Sequence, residues 1–252
     1  MTHPFRFLPL LCILLFGPFA KAKVQVFILA GQSNMEGAGA VNINPNSKNG
    51  GKSIFIDFRP PSSGMPPQET LDKMLVGARR KDPDATMKDI KARVGHFYRL
   101  MLSEVDDTLA NLDKYVPDYD GRGYKIAGFA WHQGWNDGLS HGPVAEYEEN
   151  LANIIKDVRR EWKIPDLPVA IAVSGFGGWK QKIDRRLGII AAQHAIAKRR
   201  EFKGTAASVE TRGFFRSREE SPGGQGYHWN NNAETYYRIG DGLGKAMVGL
   251  LK

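Results

Sequence analysis

The chain predicts an α/β fold, a parallel sheet held between helices in a three-layer α/β/α sandwich, on three observations. Four apolar runs of strand length, Val24–Ala30, Tyr124–Trp131, Leu167–Val173 and Thr205–Val209, are separated by stretches in which apolar residues recur every three or four positions. The connections between successive runs suit parallel crossovers. Two of the runs end in glycine followed by small polar or amide side chains, which is how open α/β sheets place reactive groups at the carboxyl edge.

The first run is read as a buried strand leading into Gly31-Gln32-Ser33-Asn34-Met35-Glu36-Gly37. If the chain turns into a helix after Ser33, the unpaired N–H groups of that first turn face whatever the hydroxyl attacks. A polar, glycine-rich connection from Gly37 to Lys52 follows. Ser53–Phe58 reads as a short strand, and Arg59–Pro67 as an irregular proline-rich loop. From Met87 the apolar positions Ile90, Val94, Phe97, Met101, Val105, Leu109 and Leu112 predict one long amphipathic helix, the longest in the chain, with His96 next to its apolar face, read as a packed or half-exposed histidine and not a ligand.

The Tyr124–Trp131 strand delivers His132-Gln133-Gly134-Trp135-Asn136-Asp137-Gly138, so the ends of the first two strands should face one crevice. Pro143 opens a helix that carries Val144, Tyr147, Leu151, Ile154, Val158 and Trp162 on one face. A strand over Leu167–Val173, a helix from about Ile183 to Arg200 and a short strand over Thr205–Val209 follow. The last helix is expected to be capped by Asn231 with Glu234 three residues on. His228 stands in the loop before it, off any packed face, where a catalytic base is a better reading than a core histidine.

Residues 1–22 read as a signal peptide: His3 and Arg6 precede an apolar stretch too short to span a bilayer, and Ala20-Lys21-Ala22 suits a signal peptidase. A secreted or periplasmic location follows, with one domain over 23–252 and no membrane span after cleavage. The lone cysteine, Cys12, leaves with the leader, which rules out disulfides and thiolate chemistry in the remainder. The chain has 35 Lys+Arg against 27 Asp+Glu. Losing Arg6 and Lys21 still leaves it basic, but the basic pairs, among them Arg79-Arg80, Arg159-Arg160 and Arg185-Arg186, sit beside apolar helical positions. They read as solvated helix faces, with no nucleic-acid partner.

Gly31-Gln32-Ser33-Asn34-Met35, the block Gln133-Gly134-Trp135-Asn136-Asp137 and the late His228, in that order, resemble the SGNH-hydrolase superfamily, and within it the sialate O-acetylesterase and carbohydrate acetylesterase branch. The resemblance implies a flavodoxin-like fold, no metal or other cofactor, and removal of acetyl groups from carbohydrate through an acyl-enzyme. It implies Ser33 as nucleophile and His228 as its base. Oxyanion donors would be the Ser33 N–H with the Asn136 or Gln133 side chain. This chemistry needs such groups, because a hydroxyl attacks only when a base takes its proton and the tetrahedral intermediate needs preorganised donors.

The chain departs from the family pattern twice. Many members place an aspartate three residues before the histidine, where this chain has Gln225, which can orient an imidazole but not neutralise its charge. Glu219, Glu220 and Glu234 are candidate substitutes. The Gly37–Lys52 connection is also short, as though one strand and one oxyanion donor were missing. These departures support an alternative, a weak or inactive carbohydrate-binding protein on the same fold. In either case Trp135, Trp179 and Trp229 could stack on sugar rings, while Trp131, within a strand, reads as core.

Overall fold

The computed structural model describes residues 23–36, 54 and 56–252. The expected leader and the Gly37–Lys52 connection lie outside the described residues. Four strands, β1 (Val24–Gly31), β2 (Tyr124–His132), β3 (Val169–Ala172) and β4 (Ala206–Val209), form one sheet in the order β1-β2-β3-β4, every pair parallel. The three-layer α/β/α architecture is the one that the alternation of strand and helix predicts.

Strand pleating sorts the core into two faces. Phe129, Trp131, Val169 and Ile171 point one way. There they pack with Tyr147, Leu151, Ile154, Ile155 and Val158 of α6 (His141–Glu161), Val105 and Leu109 of α4 (His96–Ala110), and Ile189 and Ile196 of α7 (Asp184–Ile196). Their neighbours Ala130, Ala170 and Ala172 point the other way, under Ile239, Leu243 and Met247 of α8 (Ala233–Leu250). Small side chains on that face let a single helix lie close to the sheet. β1 corrects the expectation of a buried strand: Ile28 and Ala30 are buried, but Phe27 and Leu29 face outward, Leu29 62% exposed. Among the described strands β1 pairs only with β2, so it stands at an edge of the sheet.

The long helix expected from Met87 to Leu112 is three: α3 (Met87–Arg93), α4 and the single turn α5 (Leu112–Tyr115). The longest helix is α6 instead. The break falls at Gly95, which stands at φ 68, and its N–H donates to the Ile56 carbonyl at 2.6 Å. The Asp57 carbonyl accepts from the N–H groups of Phe97 and Tyr98 at 2.8 and 3.3 Å, satisfying donors that a helix start leaves unpaired. A continuous helix would leave the 56–59 segment without these partners. That segment is not a strand either: Ile54 and Ile56–Phe58 form turns, and Phe58 stands edge-on against Trp131 at 5.4 Å.

Two further differences are local. A helix over Gln68–Arg79, α2, has a thin apolar stripe that buries only Leu71, so periodicity did not reveal it. The cap of α8 is Asn232, whose side chain accepts from the Thr235 N–H at 3.0 Å; Asn231 is displaced outward by a left-handed backbone at φ 59.

A β-carbon at Gly95 would lie 2.6 Å from the Arg59 carbonyl oxygen, in a backbone region that alanine avoids. Gly95→Ala should therefore lower stability by about 1–3 kcal/mol. Urea unfolding would show this as a lower midpoint at unchanged slope.

Candidate active site

β1 ends against β2 so closely that a β-carbon on Gly31 would stand 2.2 Å from the His132 carbonyl oxygen. That oxygen instead accepts the Gln32 N–H at 3.2 Å, and the chain turns at once into α1 (Ser33–Glu36) with Ser33 as its first residue. The Ser33 N–H therefore belongs to a first turn, whose donors have no partner within the helix. The turn is tied across to the neighbouring strand end, since Gln32 Oε1 accepts the Gly134 N–H at 3.3 Å.

Ser33 Oγ lies 2.7 Å from His228 Nε2, and His228 Nδ1 lies 3.2 Å from Gln225 Oε1. With the ring proton on Nδ1, the hydroxyl donates to Nε2 and Nδ1–H donates to the Gln225 carbonyl, so one tautomer satisfies both contacts. This is the geometry in which a hydroxyl can be deprotonated as it attacks. Burial pushes the His228 pKa below its ordinary 6.5. The glutamates considered as substitutes are engaged elsewhere or exposed: Glu234 pairs with Arg216 and Arg238, Glu220 accepts the Ser217 N–H, and Glu219 lies on the surface.

The histidine loop holds a contorted backbone. Trp229, Asn230 and Asn231 stand consecutively at φ 50, 54 and 59. Such conformations cost free energy for residues with side chains and persist only where the surroundings impose them. Here Trp229 is fully buried, the Gln225 carbonyl accepts from the N–H groups of His228 and Asn230 at 2.8 and 3.0 Å, and the Asn230 side-chain amide donates to the Arg216 carbonyl at 3.0 Å. Asn34, next to the serine, fastens the loop to the nucleophile turn: its Nδ2 donates to the Tyr227 carbonyl at 2.9 Å and its Oδ1 accepts from the Tyr236 hydroxyl of α8 at 2.6 Å. Nothing in the local sequence marks Asn34 or Tyr236 as a clamp, because their partners are some two hundred residues away in the chain.

The block after β2 divides its residues between scaffold and surface. Gln133 is turned inward, its Nε2 donating to the buried Asp137 carboxylate and its main-chain carbonyl accepting from Tyr147, Ser174 and Gln193. Its amide thus braces the loop and is not presented to a substrate. Asn136 is half-buried at the head of the 3-10 turn Asp137–Leu139. Of the tryptophans proposed as sugar platforms, Trp229 is core, Trp135 is half-buried with the Arg186 guanidinium 3.5 Å above its ring, and Trp179 is 66% exposed with Arg212 against it. Among the described residues no cluster of three or more His, Cys, Asp or Glu side chains is placed to hold a metal.

A family profile described as carbohydrate esterase, sialic acid-specific acetylesterase, matches residues 85–247. The chain belongs to that family of carbohydrate esterases. The match takes in the 133–137 block, Gln225 and His228, while Ser33 precedes it. No curated protein matches the chain. A solved structure of a protein from Arabidopsis thaliana is similar at 18% identity over 91% of this chain and 98% of that one, with a TM-score of 0.49.

His132, at the floor of this carbohydrate esterase's site, is fully buried between Phe176 and Trp229 and is held neutral, its pKa pushed by burial down to about 4 despite a hydrogen bond with the Asn34 main chain. The folded chain therefore resists a proton that the unfolded chain accepts near 6.5. The stabilisation is complete above about pH 6.5 and is lost as pH falls toward 4, a swing of about 3 kcal/mol. Urea midpoints measured across that range should fall with pH, and His132→Phe should flatten the slope.

Proposed function

We propose that the chain is an exported serine esterase that removes O-acetyl groups from carbohydrate, with Ser33 as nucleophile and His228 as base. The observation that carries this reading is the 2.7 Å contact between Ser33 Oγ and His228 Nε2 at the carboxyl edge of a parallel sheet, in a chain that belongs to a carbohydrate esterase family. His228 takes the hydroxyl proton as Oγ adds to the ester carbonyl. The tetrahedral oxyanion is held by the Ser33 N–H and the Asn136 amide, and His228 then returns the proton to the departing sugar oxygen. Water repeats the sequence on the acetyl-enzyme and releases acetate. Export rests on the leader-like residues 1–22; a mature N-terminus at Lys23, read by mass spectrometry of secreted protein, would be its signature.

The test is turnover of 4-nitrophenyl acetate and an O-acetylated sugar by the purified domain and its variants. Ser33→Ala and His228→Ala should each lower kcat by several orders of magnitude, and the double variant should be scarcely worse than either, because the two act as a unit. Losses that multiply would separate the two residues into independent roles and defeat the reading. Asn136→Ala should cost about 10²–10³ in kcat with little change in KM.

The pH profile tests the orienting residue. The base works only when neutral, and burial lowers the pKa of His228, so the acid limb of kcat/KM should fall below pH 6.5. Gln225→Glu puts a carboxylate where Gln225 Oε1 now meets Nδ1. It should move that limb upward and raise kcat, since a carboxylate stabilises the imidazolium and an amide does not.

A further inference from the structure

Arg186 lies near the start of α7, half-buried, with its guanidinium carbon 3.5 Å from the centre of the Trp135 ring. No carboxylate or other hydrogen-bond partner among the described residues engages the guanidinium. Most other buried or half-buried arginines here are paired: Arg59 with Glu146, Arg199 with Glu149, Arg212 with Glu210, Arg216 with Glu234. Its neighbour Arg185, also without an acidic partner among the described residues, donates Nε–H to the Gly138 carbonyl at 3.2 Å. Two adjacent cations therefore flank the Gly134–Gly138 block with no acidic partner among the described residues. Burial and the charge of Arg185 push the Arg186 pKa below its ordinary value, so an arriving anion would relieve a cost already present in the fold.

The placement points to the site. The Trp135 ring packs on Tyr227 at 5.6 Å, and the Tyr227 ring lies 4.5 Å from the His228 imidazole. The guanidinium is thus linked to His228 through two rings. Trp135 covers one side of the guanidinium, whose N–H donors suit a planar, bidentate acceptor, which a carboxylate is and a sugar hydroxyl is not.

We infer that Arg186, laid on Trp135 beside the Ser33–His228 pair, reads the carboxylate of an acidic acetylated sugar and sets the preference for it over neutral sugars. The inference rests on the esterase reading above and adds a specificity residue to it. Arg186 touches neither Ser33 nor His228, so its loss should weaken binding of the acid and leave the chemistry intact.

The experiment compares wild type, Arg186→Gln and Arg186→Lys on three esters: an O-acetylated sialic acid, its uncharged methyl ester and 4-nitrophenyl acetate. Losing a charge-assisted, bidentate contact should raise KM for the acid about 10- to 100-fold in Arg186→Gln with kcat nearly unchanged, and less in Arg186→Lys. The methyl ester and 4-nitrophenyl acetate should be turned over as by wild type, which also certifies that the variants are folded. Equal changes for the acid and its methyl ester, or none, would overturn the inference while leaving the esterase reading standing. A wild type without Ser33-dependent hydrolysis would defeat the esterase reading instead. The inference is then decided by titrating N-acetylneuraminic acid against tryptophan fluorescence in Ser33→Ala with and without Arg186→Gln. Saturable binding lost with Arg186 supports it, and equal or absent binding in both rejects it.

Discussion

The main-chain carbonyl of Gln133 is the point on which the site hangs. It emerges at the buried end of β2 and accepts from the Tyr147 hydroxyl at 2.8 Å, the Ser174 hydroxyl at 3.0 Å and the Gln193 amide at 2.7 Å. These donors come from α6, the end of β3 and α7, so one oxygen sets the mutual register of three elements. Gln193 returns through its own Oε1 to the Ser174 N–H at 2.7 Å, and Trp131 Nε1 donates to the Tyr147 hydroxyl. A buried polar cluster rigidifies a fold only when its members are satisfied, because an unpaired donor or acceptor there loses water without replacement. Burial, aided by the charge of Asp137, pushes the Tyr147 pKa well above its ordinary value, which favours the protonated, donating phenol.

From that anchor the rigidity passes to the chemistry. The loop after β2 is held by its own glutamine and aspartate, then reaches the nucleophile turn through the Gly134 N–H and Gln32. Asn34 extends the chain of contacts to the histidine loop and α8. Ser33 and His228 are therefore positioned by hydrogen bonds and short main-chain links that begin at the Gln133 carbonyl. A neutral Gln225 behind His228 fits such a site: without a carboxylate the imidazole keeps a low pKa, and its accuracy of aim must come from the loop.

What was legible in the sequence follows from range. β2, β3 and β4 are apolar runs whose neighbours in the chain suffice to identify them, and the strand-end positions of Ser33 and of the 133–137 block follow from the same signal. His228 was legible because it stands outside any apolar periodicity. The break at Gly95 was not, since the apolar spacing continues across it and the cause is a carbonyl at Asp57 reached only in three dimensions. The inward turn of Gln133 and the clamp made by Asn34 and Tyr236 were hidden for the same reason. Arg185-Arg186 read as a solvated helix face, because sequence displays charge but not the absence of a partner. β1 misled by composition: Phe27 and Leu29 are apolar enough for a buried strand and lie at an edge.

Ser33 and His228 are 195 positions apart, the first at the opening strand and the second just before the closing helix. Ordering contacts at such separation is slow, since the intervening chain must be arranged before the ends can meet. Neither end can assemble the pair alone, and a chain that has grown only as far as β4 carries Ser33 without His228. The Ser33–His228 contact is therefore missing through synthesis and through every partly folded state in which the histidine loop is unseated, and the pair is completed only once the late part of the chain is in place.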